Sequence, residues 1–493
     1  MSKIKIGITN KQCFLTGDRK IILAAYKYFS VKHPSAFHIR RYMPKGWDGM
    51  FHYINDRGAF RTGLLDRVLE FLEKYEVDIT YVDERDDVEK NPIIPDVIGG
   101  LTPRPYQHEA ISSIVHNTIP GTSIPWHRGV IKAATNAGKT MITAGIYQSF
   151  GRKKKALVLI NDSDLYTQFH TEIPELVGDD AGFVRGKEKD WNRFTVGMVQ
   201  TISQNLAKMK RMLAQYEMVL VDEADLADNK SYKRVLEACI NATIRVGLSG
   251  SIFTSKLVKD KPKNLNLESY FGPERFVITK EELVKLGHST PLVIKITPGN
   301  TKKLSGNDWQ AQYHEGITTN RDRNLKILIR TLYNLQRNRF PLLVVAQFHE
   351  HIEILHELFE EQLGSKYTIA AVHHKTKGRK DIIKMFKDGD IDILISSMII
   401  KRGKNLPLLK CLLNAGAGDS QENLIQIMGR GERKHESKKK TYMEDFMDEG
   451  TYLKRHSNHR VNYYIQEKFK VIQLYRKVLL KTKAYRKWLR RKK

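Results

Sequence analysis

With 493 residues, 83 Lys and Arg and 55 Asp and Glu, this chain is long enough for several domains and carries a net charge of +28. Its 41% hydrophobic and 28% charged residues support packed cores and exclude wholesale disorder or a collagen-like structure. No apolar run approaches the roughly 20 residues that cross a bilayer, and the first residues lack a signal-peptide pattern. We therefore expect that no segment of this chain spans a membrane.

The cysteines Cys13, Cys239 and Cys411 are widely spaced along the chain. They have neither metal-ligand spacing nor the arrangement of a disulfide framework, which favours an intracellular, reducing compartment. The sequence thus predicts a cytoplasmic protein.

The charge excess predicts a polyanionic partner, either nucleic acid or an anionic membrane surface. Residues 468–493 contain 12 Lys and Arg and no Asp or Glu, so this tail alone carries +12. Apolar residues recur in it at roughly helical spacing, which is typical of a basic amphipathic helix: Ile472, Tyr475, Leu479, Trp488 and Leu489. Such a helix could lie along phosphates, dock on the protein body or bind a membrane surface.

The predicted elements change character along the chain. Residues 1–88 mix short strands with two helical stretches, as in a small α+β domain, and residues 89–103 are a proline-bearing linker. Buried, β-branched runs then alternate with helices, which indicates a parallel sheet; they lie at 130–133, 156–160, 196–199, 218–221 and 244–248. A second series follows at 342–346, 368–372, 392–395 and 411–414.

These patterns predict an α/β fold with two tandem parallel-sheet domains. We expect the first domain at 104–290 and the second at 291–450. The small α+β domain precedes them, and a basic helical C-terminal tail at 451–493 follows.

A candidate phosphate loop, AATNAGKT, occupies residues 133–140 between a predicted strand and a predicted helix. In this context backbone N–H groups and the helix N-terminus face phosphate oxygens. Gly138 allows close approach of the backbone, Lys139 would reach the β- and γ-phosphates, and the Thr140 hydroxyl would ligate Mg²⁺. The usual first glycine of the pattern is Ala133 here. The predicted cofactor-binding residues of the loop are Asn136, Ala137, Gly138, Lys139 and Thr140.

Two carboxylates, Asp222 and Glu223, follow a predicted buried strand in the same domain. Ligands of α/β sheets bind at the carboxyl ends of strands. Asp222 would hold Mg²⁺, and Glu223 would position and deprotonate the attacking water. An acidic cluster alone is more typical of a turn or helix cap, but together with the phosphate loop it predicts catalytic residues.

A third cluster, Gln426, Arg430 and Arg433, shares one face of a predicted helix in the second domain. Arginines on a separate domain can stabilise the charge of a γ-phosphate when two domains close. We expect these three residues to be catalytic, although a basic helix in a basic protein is the alternative.

In this order the motifs resemble those of the superfamily 2 helicases, over roughly residues 104–433. RPYQ at 104–107 is similar to the family's adenine-reading segment, which implies that Arg104 and Gln107 bind the nucleotide. The resemblance implies two RecA-like domains and the cofactors ATP and Mg²⁺.

Further motif positions come from the same resemblance. Residues 199–201 resemble motif Ib, which implies nucleic-acid contacts from Gln200 and Thr201. Residues 396–405 correspond to motif V, which implies that Ser397 and Arg402 contact nucleic acid. That motif also implies nucleotide contacts from two further residues, Gly403 and Asn405.

Within the superfamily the chain is similar to the phage UvsW type of DNA helicase, which remodels branched recombination and replication intermediates. The shared features are GWDG at 46–49 in a small N-terminal domain, the loop TNAGKT at 135–140 and GLSGS at 247–251. This resemblance implies 3′→5′ polarity, a location in host cytoplasm, and replication or recombination proteins as partners. The letters DEAD at 222–225 are not interpreted as RNA specificity, because the other motifs are not of that type.

Two aromatic residues of the N-terminal domain, Tyr42 and Trp47, are interleaved with cations and are suited to stacking on nucleic acid. The alternative is that they belong to a core or a turn. His373 and His374 have no ligand-spaced partners in the sequence, so we interpret them as structural rather than metal-binding.

The sequence therefore predicts an ATP-dependent DNA helicase or translocase, a monomer acting on single-stranded, forked or branched DNA. One alternative is an RNA helicase, or a duplex translocase that does not unwind. A nucleic-acid-binding protein with an inactive ATPase is a third hypothesis, disfavoured because every charged residue that the chemistry needs is present.

Overall fold

A computed structural model describes residues 2–33, 47–86, 88–250, 262–305, 308–397, 406–418, 428–429, 435–466 and 468–473. The chain divides into two compact units, Met1–Thr279 (unit 1) and Lys280–Lys493 (unit 2). Seven predicted site residues lie outside the described residues: Tyr42, Arg402, Gly403, Asn405, Gln426, Arg430 and Arg433.

Unit 1 begins with the small α+β domain. Its strands are β1 (Ser2–Ile8), β2 (Gln12–Gly17), β3 (Ser30–Lys32), β4 (Met50–His52), β5 (Ala59–Arg61) and β6 (Val77–Asp83), and its helices are α1 (Arg19–Tyr28) and α2 (Leu65–Leu72). Four strands form a sheet in the order β5-β2-β1-β6, and β3 pairs with β4 in a separate ribbon. The core of this domain is continuous with Trp126 and Leu265, so it packs directly on the rest of unit 1.

The rest of unit 1 is built around a second sheet. Among the described residues this sheet has eight strands, in the order β10-β9-β11-β8-β12-β13-β7-β14. The strands are β7 (Arg128–Ala133), β8 (Ala156–Ile160), β9 (Ala181–Arg185), β10 (Glu188–Lys189), β11 (Phe194–Met198), β12 (Met218–Asp222), β13 (Ile244–Ser249) and β14 (Glu274–Ile278). Every residue of β8, β11 and β12 is buried. Strands that are apolar throughout, rather than alternating, are expected when helices cover both faces of a parallel sheet.

The helices around this sheet are α3 (Pro105–Val115), α4 (Lys139–Ser149), α5 (Ser163–Val177), α6 (Val199–Gln204), α7 (Leu206–Leu213), α8 (Lys230–Ala238) and α9 (Pro262–Phe271). All pairs in the sheet are parallel except β9 with β10, which form an antiparallel hairpin at one edge. The predicted parallel sheet of the first domain is therefore confirmed.

Unit 2 contains a second parallel sheet, in the order β17-β18-β16-β19-β20-β15-β21. Its strands are β15 (Leu292–Pro298), β16 (Leu342–Val345), β17 (Ile369–Val372), β18 (Ile393–Ser396), β19 (Cys411–Asn414), β20 (Thr441–Met447) and β21 (Lys470–Gln473). Its helices are α10 (Lys280–Lys285), α11 (Trp309–Tyr313), α12 (Arg321–Leu335), α13 (His349–Leu363), α14 (Arg379–Asp388) and α15 (Thr451–Gln466). The predicted α/β architecture with two parallel-sheet domains and a small N-terminal domain is thus confirmed.

The beginning of the predicted tail is part of unit 2. Helix α15 buries Leu453, Tyr463 and Tyr464, and β21 extends the sheet by pairing with β15. Ile472, which the sequence pattern placed on a helix, lies instead in this edge strand, because backbone hydrogen bonds to β15 outweigh the helical spacing of its apolar residues. Residues 474–493 lie outside the described residues. Within the described part of the chain, no helix combines the length and apolarity needed to cross a membrane.

The core of unit 2 contains buried ion pairs. Three arginine–carboxylate pairs at 2.8–2.9 Å have side chains that are at most 3% exposed: Arg323 with Asp448, Arg330 with Glu444, and Arg460 with Asp445. Their carboxylate partners come from β20 and the residue after it, so they join α12 and α15 to an interior strand of the sheet.

Candidate nucleotide site

The predicted phosphate-loop and acidic residues of unit 1 lie at the carboxyl ends of neighbouring strands. The strand order places β13 between β12 and β7, with all three parallel. The loop after β7 leads into α4, and Asp222 is the last residue of β12. Because parallel strands end at the same edge of the sheet, segments distant in sequence meet there.

The loop before α4 has the backbone of a phosphate-binding turn. Asn136 and Gly138 both have positive φ angles, 75° and 76°, and α4 begins at Lys139 directly after Gly138. The positive φ at Gly138 favours glycine, and a Cβ atom there would lie 2.3 Å from Gln107 Nε2 and would displace that amide. Asn136 tolerates the left-handed region better than most side chains. Its Nδ2 atom is buried and has no hydrogen-bond partner among the residues that the structure describes.

Helix α3 holds this loop from one side. Gln107 Nε2 and Tyr106 Oη both donate to the carbonyl oxygen of Ala137, at 2.9 and 3.1 Å. Gln107 Oε1 accepts from the backbone N–H of Arg104 at 2.9 Å, which caps α3. Arg104 Nη1 in turn donates to Tyr106 Oη at 3.0 Å. Gln107 is buried and joins the predicted adenine-reading segment to the phosphate loop.

Lys139 and Asp222 form an ion pair across the edge of the sheet. Lys139 Nζ lies 2.5 Å from Asp222 Oδ1, with the lysine side chain 24% exposed and the aspartate 5%. Burial alone would lower the pKa of Lys139, but the carboxylates of Asp222 and Glu223 outweigh it and raise the pKa above its usual value. The ammonium group therefore stays charged at the mouth of the loop.

Glu223 adopts a left-handed backbone conformation, with φ 54° and ψ 49°. For a residue other than glycine this conformation costs about 1 kcal/mol or more, and such strain is concentrated at functional sites. Its N–H donates to Asp222 Oδ1 at 2.9 Å. Two residues on, Asp225 accepts from Ser249 Oγ at 2.6 Å, and both side chains are buried. This bond joins the acidic segment to the end of β13.

The residues present fit a nucleoside triphosphate with Mg²⁺. The orphaned Asn136 Nδ2 and the charged Lys139 offer donors to phosphate oxygens, beside a turn where no Cβ blocks close approach. Thr140 in the first turn of α4 and Asp222 offer the oxygen ligands that Mg²⁺ prefers. Glu223 follows Asp222 directly and belongs to the same edge of the sheet.

The predicted nucleic-acid contacts Gln200 and Thr201 lie in the first turn of α6, after β11. Gln200 is exposed, and its Nε2 donates to the backbone oxygen of Asn161 at 3.1 Å and to the side-chain oxygen of the same residue. Thr201 Oγ1 accepts from the N–H of Gly186 at 3.0 Å. Since β8 and β11 are neighbours, the segments after them form one continuous surface.

Two further predicted contacts within the described residues, Ser397 and Trp47, belong to other elements. Ser397 follows β18 in unit 2, and its N–H donates to Val372 O at 3.1 Å. Trp47 is half-buried beside the β3–β4 ribbon, with its ring against His33 at 5.8 Å and its Nε1 donating to Met50 O at 3.3 Å.

Sequence reasoning did not select three residues that the structure places at the site. Tyr106 holds the phosphate loop, and Asp225 and Ser249 form the buried bond between neighbouring strand ends. All three residues lie inside motifs that were identified in the sequence. Their position within those motifs could have indicated that they belong to the site.

Comparison with known proteins agrees with this geometry. Residues 100–254 match the family "Type III restriction enzyme, res subunit", and residues 323–435 match "Helicase conserved C-terminal domain". Together the two matches span more than half of the chain.

Several similar proteins carry the word helicase in their names. IRC3 of Saccharomyces cerevisiae is 23% identical over 363 residues, 70% of this chain, and the chain spans only 51% of its length. The ATP-dependent DNA helicase uvsW of Enterobacteria phage T4 is 21% identical over 481 residues, 88% of this chain and 91% of its own. Among solved structures, S. cerevisiae Dbp5 bound to RNA and ADP BeF3 has a TM-score of 0.51 at 15% identity, covering 76% of this chain and 90% of that one.

The structural likeness supports the fold alone. The first family match contains the phosphate loop and the acidic pair, and the second contains strands β16 to β19 of the second parallel sheet. The chain belongs to superfamily 2 of the ATP-dependent helicases and translocases.

Proposed function

We propose that this protein is an ATP-dependent DNA helicase or translocase that unwinds or branch-migrates forked and recombination DNA with 3′→5′ polarity. The observation that carries the proposal is the ion pair between Lys139 and Asp222, which lies beside the strained Glu223 at the end of a glycine-dependent phosphate loop. A motor family, a strongly basic chain and an ATP site fit a protein that moves along a polyanion.

Each residue of the site has a distinct role in this proposal. Lys139 binds the β- and γ-phosphates, and the oxygens of Thr140 and Asp222 hold Mg²⁺, which when bound neutralises developing charge on the phosphates. Glu223 orients the attacking water and accepts its proton. Gln107 and Tyr106 keep the loop in its binding conformation through Ala137.

The proposal also assigns roles to five residues of the second predicted domain. Gln426, Arg430 and Arg433 would stabilise γ-phosphate charge during hydrolysis, and Gly403 and Asn405 would contact the nucleotide. These assignments rest on the motif positions in the sequence, since all five residues lie outside the described part of the chain.

The nucleic-acid contacts are proposed at Gln200, Thr201, Ser397, Arg402, Tyr42 and Trp47. A motor must hold phosphates without reading bases, and the exposed, polar Gln200 suits such a contact. Support for DNA comes from similarity to a relative named a DNA helicase. An RNA duplex is the competing substrate, because the DNA relative is distant in sequence and the fold is shared with an RNA-bound protein.

ATP hydrolysis measured with single-stranded, duplex, forked and four-way-junction DNA and with RNA duplexes tests the proposal. We expect stimulation by DNA, and unwinding that is fastest on forked or junction substrates. Glu223→Gln should reduce stimulated hydrolysis at least about 100-fold while DNA binding persists, because only the general base is lost.

The matched control is Glu175→Gln, which makes the same chemical change at an exposed position of α5 and should retain full activity. Wild-type turnover in Glu223→Gln would overturn the assignment of the general base. Stimulation by RNA alone would replace DNA as the substrate and leave the ATP site as proposed.

A further inference from the structure

A cluster of metal-ligating side chains lies in unit 2, outside every motif that the helicase assignment uses. His349 is the first residue of α13, and Glu353 follows one turn later on the same face. His349 Nε2 lies 3.1 Å from Glu353 Oε1. His373 directly follows β17, and its ring centroid lies 3.9 Å from that of His349.

These three side chains converge on a small volume. One ligand atom from each lies within 4.8 Å of the other two, and no other such group of His, Cys, Asp and Glu occurs among the described residues. Ligands of a tetrahedral zinc ion, at about 2.0–2.2 Å from the metal, are roughly 3.4 Å apart. Small rotations of these partly exposed side chains can bring the ligand atoms from their present separation to that of a zinc site, without movement of the sheet.

The donor set selects the kind of ion. Two imidazoles and one carboxylate suit Zn²⁺ and similar divalent transition ions, whereas Mg²⁺ and Ca²⁺ prefer oxygen ligands. Residues i and i+4 on a helix present their ligands on one face, so α13 supplies two already aligned. Three protein ligands leave a coordination position for water or for a further ligand. His374, whose ring lies 6.1 Å from that of His373, is a nearby imidazole that could supply it.

We propose that His349, Glu353 and His373 form a binding site for a divalent transition-metal ion of the zinc class. The ion would cross-link the start of α13 to the segment after β17, at the carboxyl edge of the unit 2 sheet. This proposal does not depend on the ATP site, because the described residues of that site all belong to unit 1.

Metal binding would also change the segment after His373. The N–H of Lys375 donates to His373 Nδ1 at 3.2 Å. A metal bound to Nδ1 takes this lone pair, and a metal bound to Nε2 requires the proton on Nδ1, so either mode replaces that bond. Occupancy of the site is therefore coupled to the backbone of a segment that carries Lys375 and Lys377, both exposed cations.

The same helix provides a matched control. His356 and Glu360 form a second pair with i,i+4 spacing on α13, 3.5 Å apart. No third ligand joins them among the residues that the structure describes. Nonspecific binding to exposed histidines would affect both pairs equally, whereas a built site distinguishes them.

The test is calorimetric titration of Zn²⁺ into the untagged, metal-stripped full chain without nucleotide, together with the visible absorption of bound Co²⁺. We expect one zinc ion per chain, weakened at least about tenfold in His373→Ala and in Glu353→Gln. His356→Ala and Glu360→Gln should bind like the wild type. Millimolar Mg²⁺ should not compete, because imidazole ligands do not suit it.

Three results would overturn the proposal. These are the absence of a one-to-one zinc complex, an equal loss of zinc in His356→Ala and His373→Ala, and displacement of zinc by Mg²⁺, which would locate the ion at an all-oxygen site. Circular dichroism of each variant excludes unfolding as the cause of a loss.

Discussion

The ion pair in the nucleotide site of unit 1 and the ion pairs in the core of unit 2 have similar lengths but opposite surroundings. Lys139 and Asp222 are 2.5 Å apart, and the lysine side chain is 24% exposed. Arg460 and Asp445 are 2.9 Å apart, with side chains only 1% and 2% exposed. Distance alone therefore does not separate a pair that binds ligand from one that holds a core together.

The number of additional partners makes the difference. Arg460 donates to Asp445 and to the carbonyl oxygens of Ala417, Gly418 and Phe446, so its guanidinium is fully used. Burial lowers the pKa of Arg460, but Asp445 and other anionic groups raise it above its usual value. Lys139 donates to Asp222 and retains donor capacity beside an open loop. A satisfied, buried pair is structural, while a pair whose lysine is partly exposed and has spare donors can exchange its partner for a phosphate.

Removal of Lys139 is the strongest test of this comparison. Lys139→Ala should lower nucleic-acid-stimulated ATP hydrolysis at least about 100-fold, because one preorganised charge at the phosphates is lost. Steady-state hydrolysis at saturating DNA measures this effect. We expect the variant to stay folded at room temperature, since the lysine side chain is 24% exposed and its removal leaves space for water beside Asp222. Lys132→Ala on β7, outside the phosphate loop, is the control; a similar loss of activity there would contradict the assignment to Lys139.

Removal of Arg460 should lower the stability of the fold, whereas removal of Lys139 should lower activity. Arg460→Met leaves the Asp445 carboxylate buried without its cation, and we expect a loss of about 3–5 kcal/mol in the free energy of unfolding. Urea titration followed by circular dichroism measures it. Arg455→Met lies on the exposed face of the same helix and should change this free energy by less than about 1 kcal/mol. Equal effects of the two substitutions would show that burial does not determine the contribution of these arginines.

The sequence predicted that Lys139 and Asp222 belong to one site, but it did not predict the unit 2 pairs, for a physical reason. Lys139 and Asp222 belong to local patterns, each attached to the end of a strand, and parallel strands bring their ends together. Arg323 and Asp448 carry no such local pattern, and they are 125 positions apart. Their contact depends on which strand lies at which place in the sheet, and hydrophobic periodicity does not encode strand order.

Because strand order is not encoded in local patterns, the sequence also did not predict the proposed metal site. His349 and His373 follow β16 and β17, which are separated in the sheet by β18. His373 has no ligand-spaced partner along the sequence, but in the structure the ring of His349 packs against it. The two-sheet architecture, by contrast, follows directly from buried runs that alternate with helices.

A titratable group in the core of unit 2 extends the comparison to pH. His351 is fully buried on α13, and its Nε2 contacts Asn324 Oδ1 at 2.9 Å. Burial and the nearby charge of Arg323 lower its pKa from 6.5 to about 3. The unfolded chain therefore binds a proton between these pH values that the folded chain does not, so stability falls as the pH drops below 6.5.

We expect this histidine to cost about 2 kcal/mol of unfolding free energy between pH 7 and pH 5. Urea unfolding at both pH values measures the loss. His351→Gln keeps a donor for Asn324 but cannot titrate, so its loss over the same interval should be smaller by that amount. His356→Gln, on the exposed part of the same helix, should retain the wild-type difference. If His351→Gln lost as much unfolding free energy between pH 7 and pH 5 as the wild type, His351 would not be the cause of the pH dependence.

The smallest expected effect separates holding the phosphate loop from binding its ligand. Tyr106→Phe removes one donor to Ala137 O, but Gln107 Nε2 still donates to the same oxygen at 2.9 Å. Because that carbonyl stays satisfied, the cost is about 0.5–1.5 kcal/mol, or a two- to tenfold rise in KM for ATP at unchanged kcat. Tyr147→Phe, on α4 but bonded to Asp180, serves as the control and should leave KM unchanged. A fall in kcat for Tyr106→Phe would mean that its hydroxyl acts on the reaction itself, and the division between supporting residues and charged residues that bind ligand would then have to be redrawn.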